Sequence, residues 1–166
     1  MTPLQEVLGR VEGVEGPDRE LDAALWLAMT PGATRRIIRV KHAHSDAEWD
    51  IHETRDATGG RLVSVPAYTA SLDAALGLVE RVLPGAEYEL TTIYGVARAT
   101  LPLNCSDTVY PETGERKDGN MPLAICAALL KALIAQEGEG RSQGSDDHLS
   151  AARSPARLGS QHGGAE

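Results

Sequence analysis

Three arginines fall within five residues, at Arg35, Arg36 and Arg39. A planar guanidinium grips phosphate or carboxylate with a two-point fork, so such a cluster can face an anionic ligand. The plainer reading is a solvated strand edge, where charge discourages aggregation. A second set, Tyr68, Thr69 and Ser71, stands directly before an amphipathic stretch. A helix N-terminus offers free N–H groups and positive potential, and hydroxyls with an aromatic ring beside it suit a nucleotide-like ligand. Against that stands ordinary capping by Ser71, with Tyr68 packed on a sheet.

His42 and His44 form a third set. Alternate residues of an extended segment share a face, so both imidazoles can meet one metal ion, with Asp46 or His52 completing the shell. A polar hairpin loop explains the same residues, and no metal is expected. Cys105 with Asp107, and the stretch from Pro111 to Asn120, read as the longest irregular segment. Long loops are often functional. A nucleophilic cysteine, however, needs a histidine or another neighbour that lowers its pKa, and nothing near Cys105 supplies one. Cys126 lies in an apolar run and reads as core. The chain holds no phosphate-binding glycine loop, dinucleotide fingerprint, HExxH or GxSxG. Neither a catalytic residue nor a cofactor is therefore expected.

Four helices must position these residues. Leu4, Val7, Leu8 and Val11 repeat at helical spacing and stop at Gly13. A second helix starts near Pro17, carries Leu21, Ala24, Leu25 and Ala28, and ends at Pro31-Gly32. The third follows Ser71 and presents Leu72, Ala75, Leu76, Val79, Val82 and Leu83 on one face, until Pro84-Gly85. The fourth runs from Pro122 through Ile134 and is apolar nearly all round, so burial on several sides is expected. Strands are expected over 35–41, 48–54, 61–65, 88–94 and 96–101. The order α-α-β-β-β-α-β-β-α groups hairpins between helices. It predicts an α+β fold with one mostly antiparallel sheet between helical layers.

At 166 residues, one domain is expected, over 1–135, with 1–16 as an N-terminal helix and 17–135 as the main body. From Gln136 to Glu166 large apolar residues nearly vanish, which predicts a disordered tail. Aromatics make up 4% with no Phe, so the core is left to Leu, Ile, Val and Ala. The formal net charge is −8, and the tail's three arginines against five carboxylates leave most of it in the folded part. Nucleic acid is disfavoured as a partner, because duplex binding rests on Lys and Arg neutralising phosphates. The N-terminus lacks a basic and apolar leader, and no run approaches about 18 apolar residues, so a cytoplasmic protein without a membrane partner is expected.

Three segments carry a resemblance: Leu21-Asp22-Ala23-Ala24, Pro66-Ala67-Tyr68-Thr69-Ala70-Ser71-Leu72-Asp73-Ala74-Ala75, and Pro122 through Leu133. Together they resemble the phage ABA sandwich domain family, small phage and prophage proteins with a sheet between helical layers. The resemblance spans about Pro17 to Ala135. It implies a phage accessory gene acting in the bacterial cytoplasm, and brings no catalytic residues with it. With the arginines and the Tyr68–Ser71 segment, it leads to an expected function. That is a homo-oligomeric binder sequestering a small anionic nucleotide-type signal of host defence. The alternative is a protein-interaction module that blocks a host protein through an acidic face.

Overall fold

Each helix begins at a side chain that satisfies its free N–H groups. In the computed structural model, which describes residues 1–41, 48–105 and 108–143, α1 spans Pro3–Gly13. It opens on a capping box, with Gln5 N–H donating to Thr2 Oγ1 (3.3 Å) and Thr2 N–H to Gln5 Oε1 (2.8 Å). Helix α2, Arg19–Met29, is capped by Asp18, whose Oδ1 accepts from Glu20 and Leu21 N–H. Ser71 caps α3, Leu72–Val82, through Ala74 N–H. Asn120 Oδ1 accepts from Leu123 N–H at the start of α4, Met121–Gln143.

The fold is α+β with antiparallel sheets, and among the described residues there are two of them where one was expected. Strand β1, Thr34–Lys41, pairs with β2, Glu48–Arg55, as a two-stranded ribbon. Strands β3 (Glu89–Ile93), β4 (Val96–Cys105) and β5 (Thr108–Arg116) form a separate sheet in that order. The expected strand over 61–65 reduces to a single Arg55–Leu62 bridge. Conversely, much of the stretch read as irregular is β5. Pro111, Gly114 and three charged residues disguise it, because such residues are rare in strands.

The core centres on α4, where every residue from Leu123 to Leu130 is buried. Ala97, Ala99 and Leu101 of β4, Leu21 and Leu25 of α2, Val11 of α1, and Leu78 and Val79 of α3 complete it. Gly114 lets α4 approach the sheet closely. A Cβ there would meet Ala128 N at 2.6 Å and press harder still on the Ala124 carbonyl oxygen. The buried face of α3 is turned from the expected one: Ala75, Leu78 and Val79 are buried, Leu76 is half-buried, and Leu72 is 42% exposed. The chain divides into two units, Met1–Ile134 and Ala135–Glu166. Helix α4 continues past Ala135, where disorder was expected to begin, as far as Gln143. The rest of the expected tail lies outside the described residues. By length and composition Met121–Gly138 is apolar enough to cross a membrane, unlike the sequence expectation, and half of it is buried.

Candidate functional site

The ribbon splits the arginine cluster. In its register Arg35 faces Thr54 and Arg39 faces Asp50, on one side with His52, while Arg36 faces Glu53 on the other. Each guanidinium meets a carboxylate. Arg35 forks onto Glu20 of α2, Nη1 to Oε2 and Nη2 to Oε1, both 2.6 Å, and also donates to His52 Nδ1. Arg36 Nε lies 3.3 Å from Glu53 Oε2, and Arg39 Nε donates to Asp50 Oδ1 at 3.2 Å. The Arg35 fork holds the Glu20 carboxyl below its ordinary pKa. It ties β1 to α2 and spends the most buried of the three cations.

Tyr68, Thr69 and Ser71 are equally occupied. Tyr68 is 2% exposed, so its ring offers no stacking face. Burial pushes its phenol pKa up, opposed by Arg81, whose guanidinium also sits 4.5 Å over the Trp26 ring. Thr69 is wholly buried. Its hydroxyl accepts from Asp18 N–H (2.9 Å) and donates to the Asp18 carbonyl (3.3 Å), and its own N–H donates to Asp22 Oδ1 (2.7 Å). Asp22, also buried, accepts from Arg19 Nη1 at 2.8 Å, and Arg19 Nη2 reaches the Val65 carbonyl. Ser71 acts as a cap. The segment 65–71 is thus bolted to the start of α2, and ordinary packing accounts for all three residues. Ser71 is the only one of the six anion-binding candidates at a helix N-terminus, and the arginines belong to the ribbon.

The histidine pair, with Asp46, lies outside the described residues, as does Asp107. His52 is described, 3.2 Å from Glu20 Oε1. Among the described residues no three His, Cys, Asp or Glu side chains gather at a metal-holding distance. Cys126 is buried with its pKa pushed up to about 12 by desolvation, so its thiolate is scarce at neutral pH.

Among the described residues the most engaged polar side chain, Arg116 of β5, is not one that the sequence singles out. It is 8% exposed. Its Nη1 donates to the carbonyls of Val11 (2.9 Å) and Glu12 (3.1 Å), and Nη2 to that of Val14 (2.5 Å). These lie at the C-terminal end of α1, where a cation also suits the helix dipole. Asp118 grips Nε and Nη2, which lowers the Asp118 pKa. Beside this knot opens a cleft of about 410 Å³ where Glu12, Glu15, Glu115 and Asp118 outnumber Arg116 and Lys117. Only the Gly-Glu-Arg-Lys-Asp-Gly charge run hinted at it, and a charge run alone does not tell a buried cap from a solvated turn.

Compared with models of known families, curated proteins and solved structures, the chain matches none. Its function therefore has to be read from its own residues.

Proposed function

We propose that this chain is a non-catalytic accessory protein of a phage or prophage that binds a host protein through its acidic surface. The observation that carries this reading is the acidic cleft between α1 and the β5–α4 turn. There Glu12, Glu15, Glu115 and Asp118 line the cleft, and Arg116 already directs its donors inward onto Asp118 and the end of α1. Glu12 pairs with Lys131 and Glu115 with Arg98, but these are exposed pairs for which a partner's cation can compete. Such a cleft suits Lys or Arg side chains of a partner, because complementary charge steers encounter and fixes register. The net charge of −8 favours the same kind of partner. The phage setting is supported by the resemblance of the three helix-entry segments.

Nucleotide sequestration is the second reading, favoured by one observation. Arg36 and Arg39 keep 66% and 71% of their side chains exposed, and surface ion pairs of that kind contribute only about 0–1 kcal/mol. A phosphate can compete for them. Two measurements separate the readings. Affinity purification from host lysate should retain a protein on the wild type and lose it on the Glu15→Lys/Glu115→Lys variant or in high salt. Calorimetric titration with cyclic and linear nucleotides should give no heat. Heat that disappears in Arg39→Ala would overturn the first reading in favour of the second.

A further inference from the structure

The four outer strand edges are not alike. β1 carries Arg35, Arg36, Arg39 and Lys41, β2 carries Glu48, Asp50 and Glu53, and β5 carries Pro111, Glu112 and Glu115. Charges and proline are the means by which proteins keep sheet edges from pairing. β3, Glu-Leu-Thr-Thr-Ile, has one charge at its first residue and no proline or bulge. Among the described residues its outer edge takes no hydrogen bond from another element. Exposed apolar side chains also gather around it: Tyr88 is 50% exposed, Ile93 54% and Tyr94 fully exposed.

The backbone decides which groups face that edge. Tyr94 (φ 52°) and Gly95 (φ 79°) form the two-residue turn to β4, both in the left-handed region, as a type I′ turn requires. Such a turn closes on a hydrogen-bonded Ile93–Val96 pair. Alternation along an antiparallel ladder then bonds Thr91 to Arg98 and Glu89 to Thr100. Leu90 and Thr92 therefore aim their N–H and C=O groups outward. Tyr94 itself is fully exposed and occupies a position that favours Asn or Gly.

We propose that β3 pairs antiparallel with β3 of a second copy of this chain, about a two-fold axis at Thr91. In that register Leu90 lies opposite Thr92 of the second copy, so the outward donors and acceptors meet one another. Thr91 meets itself, Glu89 meets Ile93, and the exposed Tyr88 and Tyr94 come opposite each other on both sides of the axis. No like charges oppose. Thr–Thr and aromatic pairs are favourable cross-strand neighbours, and the two three-stranded sheets become one of six. This surface is independent of the acidic cleft and stands whether or not a host protein binds there.

The strand pair is smaller than the roughly 1,200–2,000 Å² of a standard interface, so a weak, concentration-dependent dimer is expected. Sedimentation of the full chain from about 1 to 500 μM reads it. Thr91→Lys brings two ammonium groups together at the axis and should weaken the dimer about fivefold or more, while Thr113→Lys, on the same sheet face in β5, should not. An equimolar mixture of Thr91→Lys and Thr91→Glu should restore association, as only a residue facing its own copy allows. A monomer throughout the range, a dimer indifferent to Thr91→Lys, or the absence of rescue in the mixture would each overturn the proposal.

Discussion

Replacing Gly114 with alanine would place a methyl group where the molecule has least room. The new Cβ would sit 2.6 Å from Ala128 N and 2.9 Å from the Ala124 carbonyl carbon. Ordinary contact begins near 3.4 Å, so helix and strand must separate by on the order of 1 Å. No rotamer change helps, because the obstacles are backbone atoms. Nor can α4 shift alone, since Leu123 to Leu130 are buried on all sides. Overpacking costs about 1–3 kcal/mol, and displacing a helix belongs at the upper end, about 3 kcal/mol. For a domain of this size that lowers Tm by about 10 °C. Gly77→Ala in α3 is the control. Its Cβ meets nothing within 4 Å, and removing a mid-helix glycine should stabilise by about 0.5–1 kcal/mol. Urea unfolding of the three proteins, compared at equal m-values, measures both effects. If Gly114→Ala stays within about 0.5 kcal/mol of wild type, α4 does not lie on β5 as described.

Among core leucines, Leu130→Ala should lose about 2–5 kcal/mol, Leu78→Ala a comparable amount, and half-buried Leu76→Ala distinctly less; the same unfolding assay ranks them. Asp22→Ala strands the buried Thr69 N–H and should cost about 2–4 kcal/mol, while Asp22→Asn, which keeps an acceptor, should cost less. Glu20 and Asp118 have folded pKa values below their ordinary 4.5 and 3.8, set by hydrogen bonds from Arg35 and Arg116. Their contribution is complete above those ordinary values and disappears as pH falls through the lower folded ones. Acid titration by circular dichroism should therefore show a shallower stability loss for Asp118→Asn than for wild type, and identical slopes would refute the assignment. In a Cys105→Ser background, alkylation of Cys126 at pH 8 should proceed only at the unfolding rate, which mass spectrometry can follow.

The helices were legible because their signals are local. Thr2, Asp18 and Ser71 each lie within three residues of the N–H groups they satisfy, and apolar spacing gives the buried stripe. The stripe of α3 came out rotated because Leu72 looks like core in a periodic pattern yet lies at the helix entrance. Strand β5 was missed for a different reason. Its glycine is demanded by the helix lying across it, at Ala124 and Ala128, beyond the reach of a local sequence pattern. The partners that engage the anion-binding candidates were hidden for a similar reason. Type and spacing show that an arginine can bind an anion, but the carboxylates of Glu20, Asp50 and Glu53 were already in reach in the fold.

Leu21–Ala24, Pro66–Ala75 and Pro122–Leu133 meet in space, and their meeting has a structural explanation. Asp22, from the first, accepts the Thr69 N–H from the second; the Tyr68 carbonyl accepts a long contact from Cys126 Sγ in the third, at 3.8 Å. Tyr68, Thr69, Asp22 and Cys126 are all buried. A buried carboxylate facing a backbone N–H is costly to disturb and cheap to retain once formed. A chain can therefore carry these residues for folding alone, whatever its surface does. The groups free to differ lie elsewhere: the exposed ion pairs of the ribbon, the acidic cleft beside Arg116, and the unguarded edge of β3. Changes at these three places, made without touching the Asp22–Thr69 fastening, should alter binding while leaving Tm within a few degrees of wild type.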